Sequence, residues 1–352
     1  MEVLAVGDLF VPSDGLKRAI EEELGEDSGT VRALEWDGGG TPEDQHSAQQ
    51  VMEQEGPEAV AVPEEVVEAI SDAEVLAVHY APVPEAVFEA GQNLGIVVVA
   101  RTGYENVNVK AASARGVLVA NLWGRNASAV AEQAIALMLA ETRDIARADR
   151  GIRAGHWPKE FAQVPYELGG GRTVGVIGFG QVGRQLARKL SGFDVRLLVY
   201  DPYVDGETIE AHGGEKTEDF EQVFTEGDFV NLHARLTEET RDFIGREHFE
   251  LMKPTAYFIN NARSRMVRYA DLYEVLREGR IAGAALDVHD DEPLPEGSPW
   301  LNLENVTFAP HLAGTTSDAW ENSVRMVAET VREFAETGRS ATAVNAGQPE
   351  RP

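Results

Sequence analysis

Midway along this chain of 352 residues, the run Val174-Gly-Val-Ile-Gly178-Phe-Gly180-Gln181-Val182-Gly183-Arg-Gln-Leu-Ala187 constrains the fold more tightly than any other segment. It opens on β-branched apolar residues, passes three glycines in Gly-x-Gly-x-x-Gly order and continues in helix formers to Leu190, so it reads as strand, turn and helix. Each glycine has its own task. Gly178 makes the tight turn, Gly180 lets the backbone approach a pyrophosphate, and Gly183 lets helix and strand pack closely. The amides of Gln181, Val182 and Gly183 face the anion with the positive end of the helix dipole behind them. A second apolar run, 195–200, ends in Asp201, 18 residues past Gly183. A ribose-binding acid is expected about 20 residues on. Its carboxylate accepts from both ribose hydroxyls and repels a 2′-phosphate, which favours NAD over NADP.

A fingerprint that begins at residue 174 leaves an N-terminal region long enough to be a domain of its own. There, apolar runs at 3–6, 31–35, 59–62, 75–78, 96–100 and 117–120 alternate with helical stretches, the pattern of a parallel sheet. Thr41 and Pro42 open one of those helices as cap and first helical residue. The longest helical pattern runs over 126–153, with Val130, Ala134, Leu137, Met138 and Ile145 at three and four spacings; such a helix is expected to contribute to a homodimer interface. After the fingerprint, strands at 229–232, 256–259, 282–286 and 306–309 bring the second sheet to six. A closing helix over 317–337 is expected to return to the N-terminal domain, followed by a polar, disordered tail at 338–352. The expected fold class is α/β, with two Rossmann-like or flavodoxin-like parallel-sheet domains and an active-site cleft between them. Residues 1–122 with 313–352 form the substrate-binding domain, and 123–312 the NAD-binding domain inserted in it.

Composition narrows the partners. Acids outnumber Lys plus Arg by 60 to 31, giving a net charge of −29, and only six of the bases are lysine. Nucleic acid and anionic membranes are repelled by such a surface, so neither is an expected partner. The balance resembles that of a salt-adapted, halophilic proteome. With zero cysteines there is no disulfide, thiol nucleophile or Cys-ligated zinc. The histidines at 46, 79, 156, 212, 233, 248 and 289 lack metal-ligand spacing, so no metal is expected. Met1 is followed by an acid and a strand rather than a leader, and no apolar run approaches the roughly 20 residues of a membrane span, so a cytoplasmic protein is expected.

In open α/β sheets, ligands bind beyond the carboxyl ends of the strands. Three polar residues follow the later strands: Arg263, Glu292 and His311. Hydride transfer between a nicotinamide and a carbonyl needs a proton donor of near-neutral pKa, which an imidazole supplies. A carboxylate on the second ring nitrogen fixes the tautomer, and a guanidinium polarises the carbonyl and grips a neighbouring carboxylate with two hydrogen bonds.

These residues, with Arg101-Thr102-Gly103-Tyr-Glu-Asn-Val-Asn108, Asn126-Ala-Ser-Ala-Val-Ala-Glu132, Tyr200-Asp-Pro202, His233-Ala-Arg-Leu-Thr-Glu-Glu-Thr240, Asn260-Asn-Ala262-Arg263, Gly283-Ala-Ala-Leu-Asp287-Val288, Glu292-Pro293 and Pro310-His311, resemble the NAD-dependent D-isomer-specific 2-hydroxyacid dehydrogenase family. The match covers roughly residues 75–335 in the family's order. The resemblance implies that Arg263 binds the substrate's keto and carboxylate oxygens, that Glu292 pairs with His311, and that His311 exchanges the proton. It implies that His233, Ala262 and Asp287 join the glycine turn and Asp201 in holding NAD, Asp287 at the nicotinamide carboxamide. It further implies that amides around Thr102 and Gly103 take the carboxylate of a small 2-keto or 2-hydroxy acid.

Two positions depart from the family pattern. Ser264 stands where glycine usually follows the catalytic arginine, and Arg235 where an apolar residue or proline is usual. Arg125 and Arg265, if they faced the substrate, would suit a phosphorylated or polyhydroxylated acid; as solvated arginines they would say nothing of it. Three rival readings exist: a non-catalytic NAD-sensing scaffold of the corepressor type, a 3-phosphoglycerate dehydrogenase lacking a regulatory domain, and a formate dehydrogenase. The last is disfavoured because it expects Gln rather than Glu292.

Overall fold

The computed structural model describes residues 1–25, 29–159 and 165–346. The chain divides into two compact units, one of residues 1–126 with the segment from 316 onward, the other of residues 127–315.

In the first unit, five parallel strands, β1 (Glu2–Gly7), β2 (Thr30–Glu35), β3 (Val75–Val78), β4 (Ile96–Val99) and β5 (Leu118–Asn121), lie in the order β2-β1-β3-β4-β5. Strand residues alternate between two apolar layers, Leu4, Val6, Leu76, Val78, Val97 and Val99 on one face, Val3, Ala5, Val75, Ala77, Ile96 and Val98 on the other. Burial on both faces is why these strands read as unbroken apolar runs. The second face is covered by helices Ser13–Leu24 and Ser317–Thr337 through Leu16, Ile20, Val327, Ala328 and Val331.

Two expectations for this unit fail. Residues 59–62 are not a strand: Pro57–Ala59 form a 3-10 turn, and Pro63 precedes the helix Glu64–Ala69. Pro57 fixes the turn dihedral and Pro63 has no amide to give a ladder. Val60 and Val62 pack on the core without pairing. The tail is ordered over its described residues, 338–346. Ala343 bridges Ala120, the Val344 amide donates to the Val119 carbonyl at 2.7 Å, and Asn345 Oδ1 accepts from the Val119 amide at 2.9 Å. β5 is an edge strand, and the tail satisfies backbone groups that the sheet leaves open. Residues 347–352 lie outside the described residues.

The second unit is a parallel sheet of β6 (Thr173–Ile177), β7 (Arg196–Tyr200), β8 (Gly214–Thr217), β9 (Phe229–Leu232), β10 (Tyr257–Asn260), β11 (Gly283–Leu286) and β12 (Val306–Phe308) in the order β12-β11-β10-β9-β6-β7-β8. Seven strands replace the expected six. β8 escapes a reading by apolar pattern because its Gly-Glu-Lys-Thr sequence sits at the edge, paired only with β7, with Thr217 alone buried. Strand order reverses between β6 and β9, the switch point at which α/β sheets place ligands.

The expected helix over 126–153 is two helices, α1 (Ala127–Thr142) and α2 (Ile145–Arg153). Asp144, left-handed at φ 51°, breaks the run. Beside the break, the fully buried Glu141 accepts from Arg147 at 2.8 Å, and Arg147 also donates to the Glu304 carbonyl at 2.5 Å. A continuous helix would carry Arg147 away from this buried carboxylate, which needs a cation.

Candidate active site

The glycine turn joins β6 to α3 (Gln181–Leu190). Gly178 has φ 96°, and a Cβ there would lie 2.6 Å from the Ala234 amide nitrogen. A Cβ on Gly183 would lie 2.7 Å from the Gly178 carbonyl oxygen. Both glycines are demanded by the chain itself. A Cβ on Gly180, by contrast, would meet no atom within 4 Å. Its bareness leaves room for something other than protein at the amino end of α3, where a pyrophosphate fits.

Asp201, at the end of β7, is buried, and its carboxylate accepts from the amides of Phe179 at 2.7 Å, Tyr203 at 2.8 Å and Val204 at 3.2 Å. It therefore ties the glycine turn to the second strand. His233 follows β9 with its amide on the Ile177 carbonyl at 2.8 Å. Neither ring nitrogen has a hydrogen-bond partner among the described residues, and burial pulls its pKa down to about 4, so the ring is neutral.

Arg263 is placed by an asparagine pair at the end of β10. Asn260 is fully buried; its Oδ1 accepts from the Ala262 amide at 3.1 Å, and its Nδ2 donates to the Arg263 carbonyl at 3.2 Å. Asn261 Nδ2 donates to the Val130 carbonyl of α1 at 2.9 Å. The guanidinium is exposed and donates to the Ala262 carbonyl at 2.7 Å. Ser264 opens the 3-10 turn Ser264–Met266 and is not among the positive-φ residues. Glycine is not required there.

His311 follows β12 in the left-handed region at φ 54°, which costs a non-glycine residue about 1–2 kcal/mol. Asp287, buried at the end of β11, holds it there. Its carbonyl accepts from the His311 amide at 2.8 Å, and its carboxylate accepts from the Leu312 and Ala313 amides, each at 2.9 Å. The imidazole Nδ1 meets Glu292 Oε2 at 2.8 Å, while Glu292 Oε1 accepts from the His289 amide at 2.9 Å. Burial pushes the Glu292 pKa up, but the hydrogen bonds from His311 and His289 and the imidazole charge outweigh it and hold the carboxyl below its ordinary value. Glu292 is thus ionised throughout the neutral range, Nδ1–H donates to it, and Nε2 is left to exchange a proton.

In the first unit, Thr102 Oγ1 donates to the Leu122 carbonyl at 3.2 Å, and Asn121 Nδ2 to the Thr102 carbonyl at 2.5 Å. Arg125 is not a solvated cation: it donates to Ser323 Oγ at 2.9 Å, and burial lowers its pKa to about 10. Arg265 is exposed. The apolar-run reading passed over a buried pair at the carboxyl ends of β1 and β3, Asp8 with His79, whose Nδ1 lies 2.9 Å from Asp8 Oδ2. It also assigned no role to Asn260, Asn261 and His289. The adjacent asparagines after a strand are a turn signal that could have found the first two.

A family model described as "D-isomer specific 2-hydroxyacid dehydrogenase, NAD binding domain" matches residues 135–313. The chain is 39% identical over 274 residues to a glyoxylate reductase of Korarchaeum cryptofilum, covering 76% of this chain and 82% of that one. It is 36% identical over 284 residues to a D-3-phosphoglycerate dehydrogenase of Methanocaldococcus jannaschii, covering 80% of this chain and 53% of that one, so it spans about half of that relative's length. In fold it is similar to the NAD-complexed D-isomer specific 2-hydroxyacid dehydrogenase of Lactobacillus delbrueckii ssp. bulgaricus, with a TM-score of 0.78 at 21% identity over 98% of this chain and 100% of that one.

Proposed function

The chain belongs to the D-isomer specific 2-hydroxyacid dehydrogenases, NAD-dependent oxidoreductases acting on a CH–OH group, and from that premise we propose that Arg263, Glu292 and His311 are its catalytic set. The observation that carries this reading is the 2.8 Å bond between His311 and an ionised Glu292. NADH, when bound, would supply the hydride. His311 gives its Nε2 proton to the keto oxygen as the carbon is reduced, and Glu292 stabilises the imidazolium before and the tautomer after. Arg263, exposed and hydrogen-bonded to the Ala262 carbonyl, grips the substrate's carboxylate and polarises its carbonyl. Gly178, Gly180, Gln181, Val182, Gly183, Asp201, His233, Ala262 and Asp287 hold the cofactor, and the amides around Thr102 and Gly103 take a substrate carboxylate oxygen.

Arg125 is held by Ser323, so the favoured substrate in this reading is a small, unphosphorylated 2-keto acid; the exposed Arg265 keeps a phosphorylated acid as the second reading. We further propose that the chain forms a homodimer through the exposed face of α2. The enzymatic test is NADH oxidation across glyoxylate, hydroxypyruvate, pyruvate, branched keto acids and phosphohydroxypyruvate, run with wild type and His311→Gln. Expected are turnover of one of the first four above phosphohydroxypyruvate, and a kcat lower by about 10²-fold or more in His311→Gln with NADH binding intact. Equal kcat in the two proteins refutes the assignment.

A further inference from the structure

One side chain of α1 touches the supports of both catalytic loops. Gln133 Oε1 lies 3.3 Å from Asn261 Nδ2, on the segment that carries Arg263. Its Nε2 donates to Asp287 Oδ1 at 2.8 Å. That same oxygen takes the Leu312 amide, and its partner oxygen the Ala313 amide, immediately after His311. A carboxamide is the group suited to this place, since it accepts at one end and donates at the other, and Asp287 as a carboxylate can only accept.

We propose that Gln133 is a positioning residue that sets the Arg263 segment and the His311 loop relative to one another by bridging Asn261 and Asp287. The inference rests on the assignment of Arg263 and His311 above. Asp287 is fully buried. Loss of a donor leaves it under-satisfied, and it recovers only by shifting the two amides that hold His311 in its left-handed conformation. A displacement of this kind lowers kcat steeply because proton transfer depends on sub-ångström placement.

Two variants separate positioning from simple packing. Gln133→Met fills the space and removes both bonds; kcat should fall about 10-fold at every pH. Gln133→Glu is nearly isosteric, and its carboxyl reproduces the accept-and-donate pattern only while protonated. Its kcat should therefore approach wild type at low pH and fall as the introduced carboxyl ionises, a limb absent from the wild-type pH profile. Wild-type pH profiles and kcat in both variants overturn the proposal, as does a kcat loss in Gln133→Glu that is independent of pH. Turnover by wild type and its loss in His311→Gln are measured alongside. If these hold while the Gln133 variants behave as wild type, the positioning role alone falls; if these fail, the catalytic assignment falls with it.

Discussion

Asp201 is proposed to serve two ends with one carboxylate. Three backbone amides already use it, and the ribose hydroxyls of NAD are proposed to reach its remaining lone pairs. Asp201→Ala should therefore destabilise the protein by about 1–3 kcal/mol and narrow the preference for NADH over NADPH in the same variant. Thermal melts and the ratio of kcat/KM for the two cofactors check this; a lower Tm with an unaltered ratio assigns Asp201 to the turn alone. At this scale the legible residues were those whose chemistry is unusual for where they fall in sequence, such as His311 after proline and Arg263 after a strand. Gln133 was not legible, because one polar residue in a helix reads as surface. Its partners Asn261 and Asp287 are 128 and 154 residues away, a separation that no local pattern spans.

Among elements, apolar strands buried on both faces were read well, and the failures share one cause. β8 is an edge strand with little to bury, residues 59–62 are apolar but flanked by prolines, and residues 343–345 lie in a largely polar tail yet pair with β5. In each case the deciding interaction is made by the backbone, which leaves weak traces in side-chain pattern. The division of α1 from α2 adds a consequence for assembly. Helical spacing carried the apolar stripe through Ile145, but beyond Asp144 the face turns outward. Ile145 is 56% exposed, Ile152 51% and Trp157 76%. Apolar groups clustered at the surface of a folded chain mark an interaction site. If a second copy covers them, replacing Ile145 and Ile152 together by serine should yield a monomer in light scattering, with the far-UV spectrum kept. A variant that still scatters with the mass of wild type rejects this face as the dimer contact.

For the whole molecule, the surplus of 60 acids over 31 basic side chains acts through long-range repulsion. Its exposed ion pairs, such as Arg196 with Glu215 at 2.8 Å, engage only part of the acidic surface and contribute about 0–1 kcal/mol each. Repulsion of this kind is screened by salt. Tm should climb as KCl is raised toward molar concentration, and a curve that is flat above about 0.1 M excludes a salt-dependent fold. No helix among the described residues is long and apolar enough to cross a membrane.

The strap of residues 343–345 on β5, together with the helix Ser317–Thr337 laid across the first sheet, has a temporal meaning. The first unit holds residue 1, yet its layers close only when residues beyond 316 emerge from the ribosome. The unit of residues 127–315 is contiguous and has apolar cores of its own, so during synthesis it can complete its fold first. Until the residues from 316 onward are made, the first unit has only the helix Ser13–Leu24 on its second sheet face, and part of that apolar layer stays uncovered.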